Sequence, residues 1–273
     1  MIKTEVNVEN NSIKLNGKGL FSKDEVTVSI HKGKPSSGIV FFVLKDGKKE
    51  KIEAKISNIS NAVRNTVLSN GSESLCLIEH FLSSCSILGI NDIEVHTNKN
   101  ELIIGDGSAI HWKEAFDKMG YKLVSIKEKY NLEKPIFVKK DKKEIIAIPH
   151  NGFQVSYCMD WSHPALGKLF ASWKSGDDPE TLLEARTFGT KQENDYFEIS
   201  DRILTLDENG FNMELRNPLE PVYHKILDII GDLSLGGLNP LEINMHVIGF
   251  KSGHELNVEL AKELSSASLV QTV

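Results

Sequence analysis

Two hydrophobic rhythms run through the chain. Val26-Thr27-Val28-Ser29-Ile30 puts an apolar residue at every second position, the period of a strand buried on one face. Residues 39–44 form a continuous apolar run, Lys45-Asp46-Gly47-Lys48 carries hairpin-turn chemistry, and Ile52, Ala54 and Ile56 resume the alternation on the return. Residues 1–60 therefore read as β, with a further short strand over 65–68. Between 75 and 88 the rhythm becomes helical, with Ser74 placed to cap the helix and Gly89 to end it. A strand over 93–96, a Gly105-Asp106-Gly107-Ser108 turn and a helix over 109–119, closed by Gly120, follow.

A mixed, charged stretch, 121–134, precedes Pro135 and reads as a linker. Strands are then expected over 136–138, 144–148, 153–158 and 169–173, and a short helix over 179–183. The stretch 190–216 is polar and weakly periodic, and no element emerges from it. Val222, Tyr223, Ile226, Ile229, Ile230 and Leu233 recur at helical spacing, which predicts a helix over 220–233. A strand over 243–248 and a helix over 253–264 complete the pattern. Segments 75–120 and 219–264 thus repeat an order of helix, strand, Gly-Ser turn and helix. The expectation is an α+β protein of two similar domains, 1–127 and 128–273, with a site where they meet.

Composition narrows the functional classes. The chain is 40% hydrophobic and 26% charged, with a net charge of −6 and interleaved signs, which argues against a nucleic-acid partner. Cys76, Cys85 and Cys158 are odd in number and form no C-x-x-C pair, against both a disulfide framework and a thiolate metal site. No apolar run is long enough to span a bilayer, and Met1-Ile2-Lys3-Thr4-Glu5 opens no signal-peptide core. A cytoplasmic protein is expected, whose substrate could still be lipidic.

The helix over 220–233 carries unusually polar groups near its core face. His224 and Asp228 lie four residues apart, hence one above the other, with Lys225 beside them and Asp232 one turn on. A divalent metal would satisfy the imidazole and the carboxylate together; so would a hydrogen bond between them on a helix edge. Glu79-His80 stands in the first half's helix, its two side chains about 100° apart, so that one can ligate while the other stays free. His80, His224 and Asp228 would make a three-ligand zinc site with an open position. Zinc lowers the pKa of its water from about 15.7 to about 7. Glu79 could then act as general base, a role worth on the order of 10²–10⁴ in rate. His254 opens the last helix, where capping or a surface role competes with proton donation. Asp232 could hold its other nitrogen and favour the imidazolium. Thr187 offers a hydroxyl to an oxyanion and Phe188 an aromatic face, while Trp161 and His163-Pro164 cluster before a turn. Gly105-Asp106-Gly107-Ser108-Ala109 lacks the lysine and spacing of a P-loop.

Taken in order, seven stretches resemble one family, the zinc-dependent UDP-3-O-acyl-N-acetylglucosamine deacetylases of lipid A synthesis. They are Gly17-Lys18-Gly19-Leu20, Ile78-Glu79-His80-Phe81-Leu82, Gly105-Asp106-Gly107-Ser108-Ala109, His163-Pro164-Ala165-Leu166-Gly167, Ala185-Arg186-Thr187-Phe188-Gly189, His224-Lys225-Ile226-Leu227-Asp228 with Ile230-Gly231-Asp232-Leu233, and Ser252-Gly253-His254-Glu255-Leu256-Asn257. The resemblance implies two domains, each a β-sheet layered with two helices, around an active site that hydrolyses the 2-acetamido group of a UDP-sugar. It implies one zinc ion per chain held by His80, His224 and Asp228, with Glu79 as base and His254, paired with Asp232, as acid. Thr187 would hold the oxyanion, Lys225 would face the diphosphate, Trp161 would stack on uracil and Phe188 would lie beside the sugar. A monomer in a bacterial cytoplasm, or one encoded by a phage, is expected.

Two stretches depart from the family. Phe21 and Lys23 stand in an early stretch that usually carries histidine, and the segment between Gly189 and His224 is shortened, without the family's G-G-S-L-x-N-A motif. The second departure leaves acyl recognition open. The same chemistry on a different or unacylated amino-sugar nucleotide, and a non-catalytic nucleotide-sugar binder, are the alternatives.

Overall fold

Residues 3–7 and 12–272 are described by the structure, a computed structural model. The first half runs through β1 (Lys3–Asn7), β2 (Ser12–Lys18), β3 (Glu25–Lys32), β4 (Ile39–Lys45) and β5 (Lys48–Glu53), then a small sheet of β6 (Ile59–Asn61), β7 (Val67–Ser69) and β8 (Ser74–Leu75). Helix α1 (Glu79–Ile87), β9 (Ile93–Thr97) and α2 (Ile110–Lys118) follow. Strand β9 inserts between β3 and β4, antiparallel to the first and parallel to the second. The alternation in β3 turns Val26, Val28 and Ile30 into the core, fully buried. Asp46 and Gly47 both take positive φ, 50° and 74°, as the tight β4–β5 hairpin requires.

Two expectations for this half are corrected. The alternation through Ala54 and Ile56 stops at Glu53, and Ile56 opens a 3-10 turn whose backbone N–H donates to the Leu235 carbonyl at 2.8 Å. The helix expected from residue 75 begins only at Glu79, and Ser74 is not its cap. Ser74 and Leu75 pair with β7, Cys76 bridges to Glu101, and Leu77 sits at φ 59°, a left-handed conformation that no helix admits. Every residue of α1 is buried, so its periodic face was masked by apolar and small residues all round.

The second half contains β10 (Tyr130–Leu132), β11 (Ile136–Lys140), β12 (Lys143–Pro149), β13 (Phe153–Asp160), β14 (Lys168–Lys174), α3 (Glu180–Leu183), β15 (Phe188–Thr190), α4 (Lys191–Tyr196), β16 (Leu204–Asp207), β17 (Gly210–Phe211), α5 (Glu220–Ser234), β18 (Ile243–Phe250), α6 (His254–Ser266) and β19 (Leu269–Gln271). Strand β18 takes the place that β9 has in the first half, antiparallel to β12 and parallel to β13. The expected linker is corrected in part: Tyr130–Leu132 joins the sheet as β10, between β18 and the unforeseen β19. The polar stretch after Gly189 folds as α4, started by a Thr190–Glu193 capping box, and as a sheet of β15, β16 and β17.

Helices lie between the two main sheets. Phe81 of α1 meets Phe41 of β4 and both Trp112 and Phe116 of α2. On the other side α5 packs on β13 and β14, and α6 on β11 and β12. The halves meet where α1 crosses α5. There Gly231 is indispensable: a Cβ on it would stand 2.2 Å from the Glu79 carbonyl oxygen and 2.6 Å from Ser83 Oγ. Ser83 Oγ also donates to the Leu227 carbonyl at 2.7 Å. This backbone-to-backbone approach brings the first turn of α1 against the middle of α5.

Candidate active site

At that crossing, His80 from α1 and His224 and Asp228 from α5 present ligand-type atoms that all lie within 4.8 Å of one another. His224 Nε2 is 3.3 Å and His80 Nε2 3.7 Å from Asp228 Oδ1. All three residues are buried. Desolvation depresses both imidazoles, and the neighbouring His224 ring adds to the effect on His80, pushed down to about 3. Each therefore offers an uncharged nitrogen near neutral pH. His224 Nδ1 donates to the Ala185 carbonyl at 3.0 Å, which leaves the Nε2 lone pair facing the cluster. Burial alone would raise the Asp228 pKa, but His224 and Lys225, then His254 and His80, hold it well below the usual carboxylate range.

This donor set fits a divalent cation. Asp228 Oδ1 is buried with no hydrogen-bond partner among the described residues, a costly arrangement that a cation would relieve. Two neutral imidazoles and a carboxylate are zinc-type ligands, and three of them leave a coordination position open.

Glu79 and His254 flank the cluster. Glu79 is 4% exposed and its Oε2 lacks a partner. Burial raises its carboxyl to about 7; Asp232 and Asp228 add to the rise and His254 opposes it. His254 begins α6, and burial would lower its pKa. Asp232, whose Oδ2 lies 2.8 Å from Nδ1, and then Asp228 outweigh that and raise it to about 9. His254 Nε2 is 3.9 Å from Asp228 Oδ2. The two titratable groups thus carry opposite tendencies, an acid-prone carboxyl and a charge-prone imidazole.

The remaining expected residues fall around this centre. Lys225 Nζ donates to Asp228 Oδ2 at 2.8 Å and lies 6.0 Å from the Phe188 ring centroid, so its ammonium is already engaged by the cluster. Phe188 meets Trp161 at 5.4 Å and Phe211 at 6.1 Å between ring centroids, which joins two aromatics far apart in sequence. Thr187 is anchored through its backbone N–H to the Gly107 carbonyl at 2.7 Å, two residues past the carbonyl that orients His224. Gly107 allows this approach, since a Cβ on it would stand 2.9 Å from Thr187 Cγ2.

Sequence reasoning missed the residues that hold these groups. Asp232 Oδ1 accepts from Thr66 Oγ1 at 2.6 Å, and Oδ2 accepts from Asn257 Nδ2 at 2.9 Å as well as facing His254. Asn257 was within reach, three residues after His254 on one helix face; Thr66 carries no local signal. Glu220 continues the four-residue row of His224, Asp228 and Asp232 one turn backwards. Its buried carboxylate receives Arg186 Nε at 2.7 Å and Nη2 at 3.1 Å, and the Arg186 N–H at 3.0 Å. That pair fixes the segment bearing Ala185 and Thr187, between α3 and β15, to the start of α5. The two sequence departures also meet: Phe21 packs edge-on against Phe197, Lys23 bridges to Glu198 at 2.6 Å, and Leu20, Ile199 and Ile203 share an apolar cluster.

Comparison with known proteins identifies the family. The sequence profile of the UDP-3-O-acyl N-acetylglycosamine deacetylase family matches residues 8–266. A protein of Geotalea uraniireducens is 32% identical over 273 aligned residues, covering 94% of this chain and 87% of its own length. One of Nostoc sp. is 29% identical, covering 92% and 95%, and one of Acinetobacter baumannii is 32% identical, covering 94% and 90%. All three are named UDP-3-O-acyl-N-acetylglucosamine deacetylase.

Proposed function

The chain belongs to the UDP-3-O-acyl-N-acetylglucosamine deacetylase family of hydrolases, and from that premise we propose a zinc-dependent reaction at the α1–α5 crossing. The substrate is UDP-3-O-acyl-N-acetylglucosamine, and the products are acetate and the free amine, an early committed step of lipid A synthesis. The observation that carries this reading is the convergence of His80, His224 and Asp228 within 4.8 Å, flanked by Glu79 and His254. One zinc ion held by those three residues would supply Lewis-acid polarisation of the amide carbonyl and of the attacking water.

The protein's own groups do the rest. Glu79 takes the proton as water oxygen bonds to the acetyl carbon. The Thr187 hydroxyl donates to the oxygen on which charge develops. His254 delivers its Nε2 proton to the sugar nitrogen as the C–N bond breaks, while Asp232 steadies the imidazolium through Nδ1. Lys225 holds Asp228 charged and adds positive charge facing the substrate diphosphate. Trp161 and Phe188 offer contiguous aromatic faces to uracil and sugar. The division into units 1–127 and 128–273, a monomeric state and a bacterial cytoplasmic location belong to this reading.

A second reading keeps the chemistry on an unacylated N-acetyl amino-sugar nucleotide. It draws on the short segment after Gly189, which packs Phe197, Ile199 and Ile203 onto the early loop. Two variants test the main roles. Asp228→Ala should lose zinc by metal analysis, and full metal content in the folded variant would remove Asp228 as a ligand. Glu79→Ala should retain zinc and lose on the order of 10²–10⁴ in kcat. A kcat near that of the unsubstituted protein would remove Glu79 as the base.

A further inference from the structure

The second main sheet packs one face against helices α5 and α6, and no helix among the described residues packs on the other. Ile145, Ala147, Val155, Tyr157, Met245 and Val247 point inward and are buried. Alternation turns their neighbours outward, and strand register aligns them in rows. One row runs Phe170, Cys158, Phe250, Glu144 and Lys139; the next runs Ser172, Ser156, Ile248, Ile146 and Phe137. Phe137 is 70% exposed, Phe170 57% and Phe250 41%. A solvated antiparallel face is ordinarily polar, so three projecting phenylalanines in two adjacent rows need an occupant.

Charge indicates which one. Between residues 134 and 174, the segment that builds most of this face, seven lysines oppose three acids, although the whole chain carries −6. Lys142 at the tip of the β11–β12 hairpin, and Lys168 and Lys174, which share the outward parity of Phe170 at the ends of β14, are exposed and form no salt bridge among the described residues. A second copy docked through the same patch would set lysine against lysine. Exposed aromatics inside a lysine rim match an interface that is apolar below and anionic at its surface. The face also adjoins the active site: Phe250 leads through Lys251-Ser252-Gly253 into His254, and β13 ends at Asp160, beside Trp161.

We propose that the outer face of this sheet docks on an anionic phospholipid bilayer, with Phe137, Phe170 and Phe250 entering the interface and the lysine rim meeting the headgroups. Sedimentation with vesicles tests it. The protein should partition onto vesicles of phosphatidylglycerol and phosphatidylethanolamine, stay free of pure phosphatidylcholine, and be released by high salt. The triple variant F137S/F170S/F250S should bind at least about tenfold less, with unchanged turnover of a water-soluble substrate. Should the triple variant fail to fold, K168E/K174E, which changes only exposed residues at the ends of β14, should show the same loss. Absence of binding, equal binding to neutral vesicles, or variants that bind as the parent does would overturn the proposal. So would a dimer in sedimentation equilibrium that the phenylalanine variants dissolve, or capture of an acidic protein by this face without vesicle binding.

Discussion

At the scale of single residues, the site separates two protonation tendencies over a few ångströms. As the proposed base, Glu79 must be ionised to accept a proton, and its pKa of about 7 sets where that fails. A bound cation favours the carboxylate, so the acidic limb of activity should lie below pH 7. As the proposed acid, His254 must be protonated to donate, and its raised pKa of about 9 sets the alkaline limb, which the same cation moves to lower pH. The profile of kcat/KM should therefore be bell-shaped. Asp232→Asn removes the largest cause that raises His254, so the alkaline limb should move down by roughly 1–3 units; an unmoved limb would show that His254 is not the acid. The Arg186–Glu220 pair acts at one remove. Glu220→Gln leaves a buried guanidinium uncompensated, for about 3–5 kcal/mol in denaturant unfolding. It also loosens the Ala185 carbonyl on His224, and zinc affinity should fall about 10–100-fold. The side chains that converge at the candidate site could be read from the chain because an imidazole or carboxylate at a core-facing helical position demands a partner. Thr66 could not: it meets Asp232 across 166 positions, and a lone threonine beside a short strand announces nothing.

At the scale of elements, the geometry of the candidate site depends on how closely α1 and α5 approach. Gly231→Ala puts a methyl group 2.2 Å from the Glu79 carbonyl, so the helices must separate. The expected cost is about 1–3 kcal/mol in thermal or denaturant unfolding, with kcat reduced on the order of 100-fold because Glu79 and His80 ride on the displaced turn. Unchanged kcat in a folded variant would mean that the crossing does not set the site. Helices α2, α5 and α6 and the central strands were readable because one face is apolar and the other polar. The start of α1 was not, since burial on all sides removes that contrast and Leu77 breaks the helix with a conformation its side chain does not advertise. The segment after Gly189 failed for a different reason. Its order comes from the Thr190 capping box, the Asn194 amide bridging Leu204 and Thr205, and contacts with the early loop, none of which produces a hydrophobic period.

At the scale of the molecule, one apolar core runs through both halves, yet the candidate ligands are divided between them, one on α1 and two on α5. The repeat of sheet, helix, strand and helix was visible in the chain, whereas the crossing angle and the contacts at the halves' meeting were not, because they depend on backbone surfaces such as that of Gly231. A cation at this point would tie the halves together and stabilise the native state by mass action, about 4 kcal/mol at a thousandfold excess over Kd. The most direct measurement is acetate release from UDP-3-O-acyl-N-acetylglucosamine by protein stripped with a chelator and titrated with zinc. The account predicts no release from the stripped, folded protein and activity that rises to a plateau at one zinc per chain. Full release without metal, or none at any zinc content, would contradict it.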